Sequence, residues 1–188
     1  MFVESNGDEF VIKITVSGPP GSGTSTLVKK IVESHSWHSV NGGDIFRAEA
    51  QRRGLTVGAF SDLCKENLDV DRSLDITLKE EIQNPEGAEV VESRLSGWWA
   101  HMLEINCVRV WVNVSPEECA RRIQNREGGD YETRLLLSQK RQMDDKERYR
   151  ILYDIDLDDM SPYSLIIDAD DIGADEVFNL VESSLRGY

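Results

Sequence analysis

Cysteine is scarce and scattered: Cys64, Cys107 and Cys119 form no CxxC pair and no Cys/His cluster. Neither a disulfide framework nor a zinc site is therefore expected, and all three read as buried free thiols. Basic residues are also in deficit. With 21 Lys and Arg against 35 Asp and Glu, the net charge is −14. That balance disfavours a broad nucleic-acid or anionic-membrane surface, because phosphate neutralisation needs clustered cations. A small anionic substrate remains compatible, since a pocket can be locally basic on an acidic protein. Long apolar runs are missing too: the longest uncharged candidate, Ile14 to Val28, is dominated by Gly, Pro, Ser and Thr, and no membrane span is expected. The segment Met1 to Glu9 carries Glu4, Asp8 and Glu9 without a basic residue, which argues against a secretory signal and for a cytoplasmic protein.

What is present is ordinary globular composition, 39% apolar with 30% charge spread along 188 residues, enough for one compact unit. Short β-rich runs alternate with helical patterns, the mark of a parallel α/β sheet. Strands are expected at Phe10 to Val16, Ala88 to Glu92, Val108 to Val114 and Ser164 to Asp168, with a short fifth at His38 to Val40. Three apolar stripes fall at helical spacing: Leu27, Val28, Ile31 and Val32; Val70, Leu74, Leu78 and Ile82; Val177, Leu180, Val181 and Leu185. Ser115-Pro116-Glu117-Glu118 supplies a cap, a proline at the first helical position and a Glu three residues after the cap. A helix should start there and run to the Gly128-Gly129 break.

Directly after the first strand stand Gly18, Pro19, Pro20, Gly21, Ser22, Gly23, Thr24, Ser25 and Thr26. Strand before and helix after are the context that a GxxxxGK[ST] phosphate loop requires. Its glycines let successive backbone N–H groups turn onto phosphate oxygens, and Ser25 offers a hydroxyl to Mg²⁺. One position breaks the pattern. The lysine that would reach the β- and γ-phosphates is Thr24, and Lys29 is more than a helical turn further on.

If the loop serves phosphoryl transfer, an arginine soon after the second strand should grip the acceptor phosphate. Arg47 fits, on the first turn of a helix opened by Asn41-Gly42-Gly43. Glu92 ends the next strand, where it can hold Mg²⁺ through water, and Arg94 follows it, where ligands of open α/β sheets bind. Arg121, Arg122, Arg126, Arg141, Arg148 and Arg150 form two segments flanking Gly128 to Gln139, the pattern of a lid whose cations gather on the transferring group. Trp98 and Trp99 read as core anchors rather than a base-stacking platform.

The blocks TVSGPPGSGTST, VNGGDIFRAEA, VVESRLSGWW, ARRIQNREG and RQMDDKERYRILYDIDLDDMSPYSLIID, in this order from Val11 to about Leu185, resemble the archaeal type of cytidylate kinase. The resemblance implies a P-loop nucleoside-monophosphate kinase fold with a five-stranded parallel sheet flanked by helices. The single domain would comprise a core of about 10–43, 84–124 and 141–188, an acceptor-binding insert of about 44–83 and a short lid of about 125–140. It also implies transfer of the ATP γ-phosphoryl group to CMP or dCMP with Mg²⁺; separately, a monomer is expected. Asp44, Arg47, Arg94, Asp145 and Arg148 fall to the CMP side, the Asp145-x-x-Arg148 pair matching an acidic-x-x-Arg pair near the acceptor nucleoside. Thr24 is frequent at its place in such enzymes, and Arg122, Arg126 and Arg141 are assigned the charge of the absent lysine. Ser93 departs from the usual Glu-Gly-Arg. A kinase for AMP or UMP, and a nucleotide-binding switch without catalysis, are the alternative readings.

Overall fold

The structure, a computed structural model, describes residues 11–186. Met1 to Glu9, and Phe10, with which the sequence pattern opens the first strand, lie outside the described residues. Five strands, β1 (Ile14–Ser17), β2 (Ser39–Asn41), β3 (Val90–Glu92), β4 (Val108–Asn113) and β5 (Leu165–Asp168), form one sheet in the order β2-β3-β1-β4-β5. Every pairing is parallel. β1 therefore lies between β3 and β4, and the register sets Val16 and Asn41 both opposite Glu92. Three carboxyl ends meet there.

β1 is buried along its whole length because helices cover both faces of the sheet. On one face, Leu27, Val28 and Ile31 of α1 (Thr24–His35) and Val177 and Val181 of α8 (Ala174–Leu185) pack on Ile14, Val16, Val110 and Val112. Leu185 joins this core at its edge, while Leu180 of the same stripe is 44% exposed. On the other face, Leu78 and Ile82 of α4 (Leu68–Gln83) meet Trp99 of α5 (Ser96–Met102) and Tyr149 of α7 (Tyr131–Tyr153). Trp99 is fully buried, edge-on to Tyr153 at 4.9 Å, and Trp98 packs beside this core. Both tryptophans are thus anchors. The three cysteines are buried and unbridged, and burial pushes each thiol up to about 11.

α2 (Gly42–Arg52), α3 (Val57–Glu66) and the start of α4 fill the insert, with a small core of their own made by Ala50, Phe60, Cys64 and Val70. α6 (Pro116–Glu127) starts at the expected cap, the Ser115 hydroxyl accepting from the Glu118 N–H at 3.3 Å, and stops at Gly128. The next element is helical. Asp130 caps a single 23-residue helix, α7, so the region of about 125–140 comprises the end of α6, a turn at 128–130 and the first turns of α7. Arg141 lies within that helix. Among the described residues, no helix is long and apolar enough to cross a membrane.

Candidate active site

The residues expected to meet ATP phosphates, Gly18 to Thr26, run through the loop between β1 and α1 and into the first turn of α1. The Ser22 N–H donates to the Pro19 carbonyl at 3.0 Å. Gly21 has φ of 92°, and a Cβ there would stand 2.9 Å from the Cys119 carbonyl of α6, so only glycine fits. α1 opens on Gly23 without a side-chain cap, whereas Asn41, Thr56, Asn67, Ser115 and Asp130 cap α2, α3, α4, α6 and α7. Its first N–H groups are left for an anion, and the helix dipole favours one. Thr24 turns its methyl toward Gly18, 3.1 Å from where a Cβ on that glycine would be. Lys29 cannot replace the missing ammonium: its side chain is 75% exposed and pairs with Glu33.

Where the three strand ends meet, a polar chain forms. The Ser25 hydroxyl donates to Glu92 Oε1 at 2.9 Å, and the Asn41 amide donates to Glu92 Oε2 at 2.5 Å. Asn41 Oδ1 in turn accepts from the Gly43 and Asp44 N–H groups, capping α2. A hydroxyl beside a carboxylate is a hard-oxygen donor set, which suits Mg²⁺ with its remaining positions filled by water and phosphate. Asn41 carries no signal of this role in the sequence, because its contact depends on the β2-β3 pairing. Ser93 packs against the start of α2, its Cβ 2.9 Å from where a Cβ on Gly42 would stand.

The arginines divide. Arg94 is buried, its side chain 12% exposed, with Nε 3.6 Å from Asp145 Oδ2 and its guanidinium 5.4 Å from the Trp111 ring. Its Nε and Nη1 make no hydrogen bond. Arg148 donates to Asp145 Oδ1 at 3.1 Å, so Asp145 joins the two guanidiniums. Behind them Tyr153 donates to Asp75 at 2.7 Å; burial pushes that carboxyl up to about 6 against the pull of this hydrogen bond. Arg47 sits on the second turn of α2, not the first, because the helix already begins at Gly42. It is exposed and pairs with Asp44 at 2.5 Å.

Arg122 is tied to the loop rather than free to reach a transferring group. It donates to Glu118 at 2.9 Å, to the Ser22 carbonyl at 3.0 Å and to the Ala169 carbonyl beyond β5. With Gly23, Thr26, Leu27, Ile172 and Val177 it lines a cavity of about 260 Å³ beside the loop. Arg126 turns to its neighbour Glu127, Arg141 is exposed, and neither hydrogen-bonds the loop. Arg134, which sequence reasoning passed over, closes the α6-α7 turn through the Gly128 carbonyl and Glu127.

A parallel sheet with a phosphate loop at its central strand, and a hydroxyl-carboxylate pair, Ser25 and Glu92, where the strand ends meet, defines a P-loop kinase. The AAA domain family model matches residues 17–149. A cytidylate kinase of Archaeoglobus fulgidus is 38% identical over 170 residues, covering 90% of this chain and 92% of that protein. One from Halobacterium salinarum is 34% identical, covering 93% and 90%. A shikimate kinase structure from Bacteroides thetaiotaomicron superposes with a TM-score of 0.60 at 17% identity, covering 93% of this chain and 98% of its own, a likeness of fold. The chain belongs to the cytidylate kinase family and is a phosphotransferase.

Proposed function

We propose that the protein transfers the γ-phosphoryl group of ATP to CMP or dCMP, giving ADP and CDP or dCDP, as a cytoplasmic monomer. The observation that carries this reading is the Ser25, Glu92 and Asn41 chain together with Arg94 two residues further along, whose Nε and Nη1 make no hydrogen bond although Asp145 stands 3.6 Å away. The loop N–H groups of Gly21 to Ser25 take the β- and γ-phosphates, and the apolar walls of the neighbouring cavity take the adenine. Ser25 and, through water, Glu92 hold Mg²⁺, which when bound neutralises charge on the ATP phosphates. Arg122 positions the loop. Arg94 and Arg47 grip the acceptor phosphate, and Asp145 fixes the direction of Arg94.

The test is ADP release in a coupled assay with Mg-ATP across CMP, dCMP, UMP, AMP and GMP. CMP or dCMP is expected to give the highest kcat/KM. A preference for AMP, or no acceptor-dependent turnover, would overturn the reading and leave another nucleotide kinase or a binding switch.

In the same assay Arg47→Ala should raise KM for CMP about 10- to 150-fold, the worth of a charge-assisted phosphate contact. KM for ATP should change little, because Arg47 lies on α2, on the acceptor side of the loop. Equal changes in both would mean that Arg47 serves only its pair with Asp44.

A further inference from the structure

Two supports flank the Arg94 guanidinium, and neither is a hydrogen bond. Asp145 stands 3.6 Å from Nε and supplies charge across that gap. The other support is a ring. Trp111 of β4 lies under the guanidinium, its ring centre 5.4 Å from Arg94 Cζ, within reach of a cation–π contact.

The strand places the ring there. Val110 and Val112 turn into the core beneath α1 and α8, so Trp111 between them falls on the opposite face of the sheet. It pairs in register with Ser17, the last residue of β1 before the phosphate loop, and is 6% exposed. The indole is also held from behind. The Tyr163 ring, itself buried, meets it at 5.2 Å. Tyr163 in turn rests on Gly97 of α5, where any Cβ would run into its ring. Gly97, Tyr163, Trp111 and Arg94 thus form one series running from the helix to the site.

A carboxylate fork would fix a buried arginine by spending the donors that a phosphate needs. A ring face instead orients the guanidinium and offsets part of the cost of burying its charge, while Nε and Nη1 keep their hydrogens uncommitted. Resting on the reading of Arg94 as a grip on the acceptor phosphate, we infer that Trp111 is a positioning residue for phosphoryl transfer. Its ring face holds Arg94 in the acceptor-binding direction with its donors unspent, and Tyr163 and Gly97 hold the ring.

The test compares Trp111→Leu, which keeps apolar bulk without a ring face, with Trp111→Phe, which keeps a ring. In Trp111→Leu, kcat/KM for CMP should fall about 10- to 30-fold, the worth of a desolvated cation–π contact expressed as a rate, while KM for ATP holds. Trp111→Phe should recover most of that loss. In the Arg94→Ala background Trp111→Leu should cost nothing further, as expected of two groups acting through one contact. A second measurement does not depend on the leucine variant folding. In the unaltered sequence made with fluorinated tryptophans, kcat/KM for CMP should step down with each added fluorine, which withdraws charge from the ring face, and Trp111→Phe should abolish the steps. Equal losses in the leucine and phenylalanine variants, a full further loss in the Arg94→Ala background, or no response to fluorination would make Trp111 an apolar core residue and overturn the inference. CMP turnover left unchanged by Arg94→Ala alone would overturn the acceptor reading and the inference with it. An impaired Arg94→Ala beside an unimpaired Trp111→Leu would overturn the inference alone.

Discussion

Arg94→Ala is expected to lower kcat by about 10³ or more while leaving the thermal unfolding midpoint unchanged or raised. The guanidinium is buried at the carboxyl end of the sheet, with Asp145 at 3.6 Å and two nitrogens unsatisfied. Holding a cation there without full hydrogen bonding costs stability, since a buried charge needs both pairing and bonds. The arrangement makes sense when phosphate oxygens complete the fork. An arginine supplied to a transferring phosphoryl group is worth about 10³ to 10⁵ in kcat. Removing it should therefore abolish most turnover without loosening the fold, because Asp145 keeps Arg148 as a partner. Arg94→Lys should recover only a small part, as an ammonium lacks the planar fork. The check is kcat beside a melting curve for each variant. Loss of activity in step with loss of stability would mean that Arg94 is a strut between β3, Trp111 and α7 and nothing more.

The elements that announced themselves in the sequence were those whose signal is local. The phosphate loop is contiguous, its glycines and its strand-helix context all within reach of one another, and the structure has the same strand-loop-helix order. The strands were legible because sheet burial on both faces leaves apolar runs such as VRVWVN. α7 was obscured for a physical reason: its buried positions include Ser138, Asp145 and Tyr149, so the face it turns inward is largely polar and shows no hydrophobic period. The sequence pattern therefore marks only the helix end at Gly128-Gly129 and not the helix that follows. Asp71, the partner of Arg148 in α7, hid in the same way, one residue beside the stripe Val70, Leu74, Leu78 and Ile82, because α4 presents one flank to the core and an adjacent flank to α7. Asn41 and the Arg94-Asp145 contact depend on pairings between residues 51 apart in sequence in both cases, which no local pattern encodes.

The absent P-loop lysine leads to the remaining expectation. Sequence reasoning gave its charge to Arg122, Arg126 and Arg141, but Arg122 is committed to two backbone carbonyls and Glu118, and Arg126 pairs with Glu127. Arg94, at the carboxyl end of β3, keeps two nitrogens without a hydrogen bond. If it supplies the missing charge as well as gripping the acceptor, Thr24→Lys in the otherwise unaltered protein should change kcat by less than about threefold. A second cation adds little to a group that is already neutralised, and like charges in a dry site repel. In the Arg94→Ala background the same lysine should raise kcat about 10- to 100-fold, the range of one to two charge-assisted contacts. The two substitutions would then be strongly non-additive, which is what a double-mutant cycle measures for groups sharing one role. KM for CMP should stay high in the double variant, because an ammonium projecting from α1 reaches the ATP side and not the acceptor. Additive effects, with Thr24→Lys raising kcat by the same large factor in both backgrounds, would show that the natural loop lacks a cation that Arg94 does not provide.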